Sequence, residues 1–280
     1  MRRLFLALMG GALLAASAAA AETGVEGITK PTADVTLSFV RPGLVAEVLV
    51  KEGDAVKVGD VLVRLDDAAE RLQVAELKAQ ADDILRIKAA QAQVDQKKEE
   101  YQKIQWAAGK GAATDWEVAR ARLEVTIGEL SVDLARFNQQ QDRKKHDQAV
   151  VQLERMNLLS PVAATVEQVF LEKGESAEAL AKVVRIVKTD TLWVDLAVPM
   201  AQARGLKVGD KAEADYVAAP GKPVEGKVLF VAAVADAASE TLTVRVEMPN
   251  NPRRPAGERV RVRFPGVAST APAEKPKGAK

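Results

Sequence analysis

Between Arg41 and Asp66 the chain reads RPGLVAEVLVKEGDAVKVGDVLVRLD. Its apolar positions, Val45, Val48, Val50, Val56, Val58, Val61, Val63 and Leu65, follow much of a period-two alternation. That is the pattern of half-buried strands. Gly-Asp pairs at 53–54 and 59–60 are turn signals that cut the run into three short strands. Three such strands are too few to close a core alone. A second stretch, Leu159 to Val187, supplies a matching half. Ser160-Pro161 breaks the preceding pattern, and Val162, Thr165, Val166, Val169 and Leu171 read as strand. Glu172-Lys173-Gly174-Glu175 repeats the turn chemistry of Lys51-Glu52-Gly53-Asp54. Val183-Val184-Arg185-Ile186 repeats Val61-Leu62-Val63-Arg64-Leu65, and both intervals from turn glycine to strand end span 12 residues. Each half is expected to cover the apolar face of the other, which makes one split β-domain.

The residues between the halves change period. Asp66 to about Ala107 reads as a long helix, with Asp66-Asp67 as its capping signal and no Gly or Pro until Gly109. Its heptad columns are Leu77, Ile84, Gln91, Lys98 and Gln80, Ile87, Val94, Tyr101. Ala113 to Met156 reads as the returning helix. Its stronger columns, Trp116, Leu123, Leu130, Phe137 and Ile127, Leu134, are expected to form the seam against the first helix. Gly109-Lys110-Gly111 marks the reversal, and Thr114 with Glu117 fits a capping box. Two helices of roughly 40 residues give a hairpin about 60 Å long. Trp106 and Trp116 flank the reversal and are expected to staple the helices, with a contact anchor as the alternative. Asn138 to Gln148 is polar, which reads as a solvated section or, second, as a lateral contact with a neighbouring protomer.

From Asp190 to Phe264 short alternating segments recur: Thr191 to Pro199, Ala212 to Val217, Val224 to Val234, Thr241 to Met248 and Glu258 to Phe264. That spacing predicts a small β-barrel. The expected organisation is a signal peptide over 1–21, a polar lead over 22–34, the split β-domain over 35–66 and 158–189, the helical hairpin over 67–157, the barrel over 190–265, and a disordered tail over 266–280.

Composition narrows the function classes. Of 280 residues, 40 are basic and 39 acidic, and without Arg2 and Arg3 the balance is 38 to 39, so no concentrated basic face argues for nucleic acid. Aromatics are only 4%, so Ala and Val carry the apolar load. There is no Cys, which excludes disulfides, thiolate metal sites and a Cys nucleophile. His146 is the single histidine, in a polar helical run, and reads as a surface residue. No nucleophile–base constellation, phosphate loop or metal spacing occurs, so the chain reads as no enzyme and as needing no cofactor. Arg2-Arg3, the apolar run Leu4 to Leu14, and the small residues Ala18 to Ala21 read as a secretory signal cleaved near Ala21. The mature chain is then expected in the periplasm, held at the inner membrane by a partner.

The two half-motifs, quoted above, resemble the halves of a biotinyl/lipoyl-type domain. Interrupted by a long helical hairpin, they resemble the HlyD-like membrane fusion proteins, or periplasmic adaptor subunits, of bacterial tripartite efflux systems. The resemblance covers roughly residues 35–265. Gly226-Lys227-Val228, Thr241 to Val246 and Ala256 to Val260 resemble the barrel of that family. It implies an α+β fold: a split lipoyl-type barrel-sandwich hybrid, a long antiparallel α-helical hairpin (coiled coil) inserted in it, and a small antiparallel β-barrel after it. Two positions depart from the family pattern, Ala163-Ala164 where Asp-Gly is usual and Leu180 where a second Gly is usual. No lysine with a carrier's neighbours joins the halves, which removes the swinging-arm reading. The resemblance further implies an inner-membrane transporter as partner, of the resistance-nodulation-division (RND) type, an outer-membrane channel, and a homo-oligomeric ring. By the same resemblance the hairpin tip would meet the channel through Lys103, Ala107 and Thr114, with Lys for the usual Arg, Ala for the usual Leu and Thr for the usual Ser, and the flanking Trp106 and Trp116 join them in the contact-anchor alternative. The readings kept beside it are an ABC-type exporter or type I secretion adaptor, and a periplasmic structural or substrate-binding protein with no outer-membrane partner. The short lead also predicts that no membrane-proximal fourth domain is built.

Overall fold

The computed structural model describes residues 24–218 and 221–265. The signal peptide and the tail expected over 1–21 and 266–280 lie outside the described residues. In chain order the elements are β1 (Val25–Leu37), β2 (Gly43–Val48), β3 (Ala55–Val56), β4 (Val61–Leu65), α1 (Ala68–Asp82), α2 (Leu85–Ala108) and α3 (Asp115–Glu154). There follow β5 (Asn157–Leu159), β6 (Ala164–Val169), β7 (Ser176–Ala177), β8 (Val184–Pro199), α4 (Met200–Ala203), β9 (Lys211–Tyr216), β10 (Val224–Val231), β11 (Thr241–Pro249) and β12 (Arg259–Arg263). The described residues form two compact units, one of residues 33–188 and one of residues 24–32 with those from 189 to 265.

In the unit of residues 33–188 the two half-motifs interlock strand by strand. β4 pairs with β5, β2 with β7, and β3 with β6, all antiparallel. Each half thus supplies hydrogen-bond partners to the other, and both fill one core that includes Val45, Leu62, Leu65, Val166, Val184 and Ile186. The turns show why the sequence repeats. Gly53 (φ +91°) donates to the Val166 carbonyl at 2.8 Å, and Val166 donates back to Asp54 at 2.9 Å. In the second half Gly174 (φ +90°) donates to Val45 at 2.9 Å, and Val45 donates back to Glu175 at 2.9 Å. The acid after each glycine then accepts from the first backbone N–H of its own turn, Asp54 from Lys51 at 2.8 Å and Glu175 from Glu172 at 2.8 Å. Asp60 closes the Lys57 turn in the same way at 2.7 Å.

The departure at Leu180 has a definite outcome. Gly59 (φ +87°) donates to Ser160 at 2.8 Å, and its counterpart Leu180 donates to Phe39 at 2.8 Å. Leu180 adopts φ +63° to do so. The left-handed turn is kept although its residue is one that disfavours it. The other departure leaves Ala164 pairing with Val56 at the start of β6.

The helices of this unit differ from expectation in two respects. The first helix is not continuous: α1 and α2 are separated at Asp83–Ile84, where Asp83 is extended (φ −70°, ψ 113°). The inward positions Val74, Leu77 and Ala81 precede the break, and Ile87, Ala90, Val94, Lys97, Tyr101 and Ile104 follow it. Continuing the first phase would put Ile84 inward, yet Ile84 is exposed and Ile87 takes that role. The break absorbs a one-residue slip in the heptad phase, since the repeat of Val74 and Ala81 would fall at position 88 and falls at Ile87. The second difference is the seam of α3. Trp116, Leu123, Ile127, Leu130, Leu134 and Phe137, expected inward, are all exposed. The inward face is instead Val118, Ala121, Val125, Gly128, Val132, Ala135, Gln139, Asp142, His146 and Ala149, spaced alternately by four and three. Small residues there let the helices approach closely: a Cβ on Gly128 would stand 3.0 Å from Val94 Cγ2.

In the other unit five strands and the start of β1 form the barrel. The order is β1-β12-β9-β10-β11-β8, and β1 also pairs with β8, so the sheet returns on itself. The residues read from sequence as a polar lead therefore contribute β1, pairing Val25–Ile28 with Arg259–Val262. Their few apolar side chains and Pro31 hid the strand. Gly27 is there because the barrel interior leaves no room, since a Cβ would lie 2.6 Å from both Leu196 and Val194. Leu192, Val194, Leu196, Val198, Val244, Val246, Met248, Val260 and Val262 fill the core. The glycine-acid clasp recurs here: Gly209 donates to Val228, which donates to Asp210, each at 2.8 Å.

Candidate partner-binding surfaces

α2 and α3 run antiparallel, joined by residues 109–114. Lys97 pairs with Glu124 at 2.7 Å and Lys98 with Glu129 at 2.8 Å. Nearer the β-strands Gln139 donates to the Ala81 carbonyl at 3.3 Å. The Lys97 ammonium holds the Glu124 carboxyl below its ordinary pKa, chiefly through the hydrogen bond. α2 ends in a left-handed glycine cap: Gly111 (φ +74°) donates to Ala108, and Ala112 donates to Ala107, both at 2.9 Å. α3 opens on the capping box anticipated from sequence. Glu117 N–H donates to Thr114 Oγ1 at 3.3 Å, and Thr114 N–H donates to Glu117 Oε2 at 2.7 Å. Those donations to the carboxylate, from the Thr114 backbone first and its hydroxyl second, lower the pKa of Glu117.

The five tip residues fall into three groups. Lys103, Trp106 and Ala107 share one face of α2 and, with Glu99 and Gln102, line a shallow depression. Thr114 is committed to its cap. Trp116 lies on the outer face of α3. The expected staple does not form, because both indoles are about two-thirds exposed, at 66% and 67%. Each ring instead carries a cation of its own neighbourhood. Lys110 Nζ stands 3.6 Å from the Trp106 ring centroid, and the Arg120 guanidinium 5.6 Å from that of Trp116. Such pairs hold a ring in place while leaving its far face open. The tip thus offers two aromatic platforms with adjacent positive charge. His146 faces the helix seam and contacts Asp147 at 3.3 Å. Among the described residues no cluster of three or more His, Cys, Asp or Glu is arranged to hold a metal, and no helix is long and apolar enough to cross a membrane.

On the barrel, Asp195 is the charged centre of one face. It accepts a two-pronged bond from Arg245 at 2.7 and 3.1 Å and a third from Lys30 at 3.1 Å. Arg245 also lies 4.8 Å from the Trp193 ring centroid. The Arg245 bond is the largest influence lowering the Asp195 pKa, against a desolvation that raises it.

Residues 191–267 match the family model described as the CusB-like β-barrel domain. The chain is 26% identical over 264 residues to the nickel-cobalt-cadmium resistance protein NccB of Alcaligenes xylosoxydans xylosoxydans, covering 94% of this chain and 60% of that protein. It is 26% identical over 271 residues to the nickel and cobalt resistance protein CnrB of Cupriavidus metallidurans, covering 95% and 62%. The chain is similar to the membrane fusion proteins. Its fold is similar to that of MacA from Actinobacillus actinomycetemcomitans, with a TM-score of 0.66 at 16% identity over 85% of this chain and 76% of that one. The membrane fusion protein Spr0693 from Streptococcus pneumoniae R6 gives a TM-score of 0.59 at 18% identity, covering 87% and 99%. The chain spans between 47% and 62% of the length of the curated relatives it matches.

The surface that sequence reading misassigned is the outer face of α3. Its residues stood out in the heptad pattern but were placed against the first helix. The usable signal was the second, smaller stripe running through Ala121, Gly128 and Ala135.

Proposed function

We propose that this chain is a non-enzymatic periplasmic adaptor of an RND-type export system. The observation that carries the reading is a six-strand barrel whose residues 191–267 match the CusB-like model, in one chain with a split lipoyl-like β-domain interrupted by helices. In this reading the barrel seats on the inner-membrane transporter. The lipoyl-like domain packs beside its neighbours in a homo-oligomeric ring. The helices extend as an antiparallel coiled-coil hairpin toward an outer-membrane channel, presenting Lys103, Trp106 and Ala107 at the tip. The partner transporter supplies the energy, and the adaptor supplies geometry. A signal peptide cleaved near Ala21 brings the chain to the periplasm, where the transporter holds it at the inner membrane. Two relatives are named for nickel and cobalt resistance, so divalent cations are the cargo class to test first.

The test is affinity capture from detergent-solubilised envelopes, with wild type beside a Lys103→Ala, Trp106→Ala, Thr114→Ala variant. Recovery of an RND transporter and an outer-membrane channel, with the channel alone lost in the variant, is the expected result. An ABC-type transporter in place of the RND pump would move the chain to the rival exporter class. Recovery of neither membrane partner would end the adaptor reading.

A further inference from the structure

The outer face of α3 carries a second heptad stripe. Trp116, Leu123, Ile127, Leu130, Leu134 and Phe137 stand at steps of seven, four, three, four and three, each between 54% and 67% exposed. By the 3.6-residue repeat the stripe lies ~160° around the helix from the inner seam. A helix needs one apolar stripe to pack on its own fold, and a second calls for a second partner. At roughly 100 Å² of exposed surface apiece, six such side chains make a patch of about 600 Å². That is the upper end for a free monomer surface, and twice it reaches about the 1,200 Å² at which specific interfaces begin.

We infer that this stripe is a contact between two copies of the chain, α3 against α3, in antiparallel pairing. The occupant follows from what the other helices lack. The large exposed apolar residues of α1, α2 and their junction are Leu72, Ile84, Leu85 and Trp106, too scattered to form a seam. A neighbour's α2 would instead offer Gln96, Glu99, Glu100 and Lys103, all exposed. The matching stripe among the described helices is α3 itself, and a two-fold contact uses one patch twice.

The orientation follows from charge. In parallel pairing, equal positions meet, so Arg120 would face Arg120 and Lys144 would face Lys144 along the seam. Antiparallel pairing centred between residues 128 and 129 sets Ile127 against Leu130 of the second copy and Leu123 against Leu134. Arg120 then lies over Phe137 of the second copy, a cation on an aromatic face. The flanking positions bring Glu117 to Asn138, Glu124 to Ser131 and Thr126 to Asp133, with no like charges opposed. Such a pair points its two 109–114 turns in opposite directions. It is therefore a form adopted away from any assembly whose tips all point one way.

The full chain, secreted from an expression host, is examined by sedimentation equilibrium beside an Ile127→Glu, Leu134→Glu variant, with helical circular dichroism as the folding control. The expected result is a concentration-dependent dimer whose dissociation constant rises at least roughly 100-fold in the variant. Because the chain has no cysteine, single Arg120→Cys and Phe137→Cys proteins of different mass can be mixed and oxidised. A mixed disulfide is expected between the two species, without a Phe137→Cys self-product. This arm uses chains that keep Ile127 and Leu134, so it stands if the glutamate variant misfolds. A monomer at every concentration, or a dimer indifferent to the glutamates, overturns the contact. Dominant self-linking at position 137 overturns the antiparallel orientation.

Discussion

Leu180 gives a measurable test of the pseudo-repeat, because the same turn exists in the chain with and without glycine. Leu180 and Gly59 make equivalent bonds, to Phe39 and Ser160, at 2.8 Å each, and both have positive φ. For a side-chain-bearing residue that conformation costs about 1–2 kcal/mol. Leu180 is 73% exposed, so its remaining burial is worth about 0.5 kcal/mol. Leu180→Ala loses the burial and keeps the strain. Leu180→Gly loses the burial and releases the strain, less roughly 0.5–1 kcal/mol for glycine's greater freedom in the unfolded chain. The glycine variant should therefore exceed the alanine variant by about 0.5–1 kcal/mol, the reverse of the order found in ordinary backbone. Gly59→Ala should cost a similar amount, and from φ alone, since a Cβ there meets nothing within 4 Å. In a unit of this size 1 kcal/mol moves Tm by about 2–4 °C, within reach of thermal denaturation followed by circular dichroism. If Leu180→Ala equals or exceeds Leu180→Gly, or Gly59→Ala is neutral, the left-handed turn is not what the repeat conserves structurally.

The remaining predictions concern the barrel, the carboxylates and the tip. Gly226→Val should destabilise the barrel by about 1–3 kcal/mol, because a Cβ would stand 2.7 Å from the Glu247 carbonyl oxygen and 2.9 Å from Val246; an unchanged Trp193 fluorescence melt would contradict this. Asp195→Asn should cost about 1–2 kcal/mol by weakening the bonds from Arg245 and Lys30. Asp34, Asp67 and Asp195 all have folded-state pKa values below the ordinary range, each chiefly through a hydrogen bond from Arg. Their stabilisation is then complete above the unfolded carboxylate pKa of about 4 and is lost as pH falls through the lower folded values. A series of melts from pH 7 to pH 3 should show that loss, and Asp195→Asn should flatten it. Thr114→Ala should remove about 1 kcal/mol of capping and raise amide exchange over the first turn of α3, leaving exchange in β4 and β6 unchanged.

The β-structure was legible where one side chain fixes one backbone geometry. Lys51-Glu52-Gly53-Asp54 states its turn twice, through a glycine that permits positive φ and an acid that returns to its own backbone, and the structure uses both. The Gly174 copy could be aligned with it for that reason. The pairing of β3 with β6 and β2 with β7 was foreseen only as mutual cover, because alternation reports which face is apolar and not which edge meets which. β1 was missed because a barrel strand can be built from Val25, Gly27, Thr29 and Lys30 when its neighbours supply the bulk. Gly27 sits where Val194 and Leu196 already fill the space. Thr29 is consumed by hydrogen bonding, with its hydroxyl accepting from Gly257 and Glu258 at 3.0 Å each.

α3 failed for the opposite reason: it has too much pattern. A helix with one stripe shows its buried face by hydrophobicity, but α3 has two stripes on nearly opposite sides, and the larger residues are on the outside. Weighing by apolar bulk selects Leu123, Ile127, Leu130, Leu134 and Phe137, whereas the intrachain seam takes Ala121, Gly128, Val132 and Ala135. Close packing explains the choice. A Cβ added at Gly128 would stand 3.0 Å from Val94 Cγ2, so large side chains on that face would force the two helices apart. The same argument says what the outer stripe is for. Bulk excluded from a tight seam gains nothing in water, so it stabilises only an interface made after the chain has folded. The tip supports that division: Thr114 and Glu117 serve the fold, while Trp106 and Trp116 keep about two-thirds of their surface open. In this helical segment the residues that hold the chain together are the inconspicuous ones, and the conspicuous ones face outward.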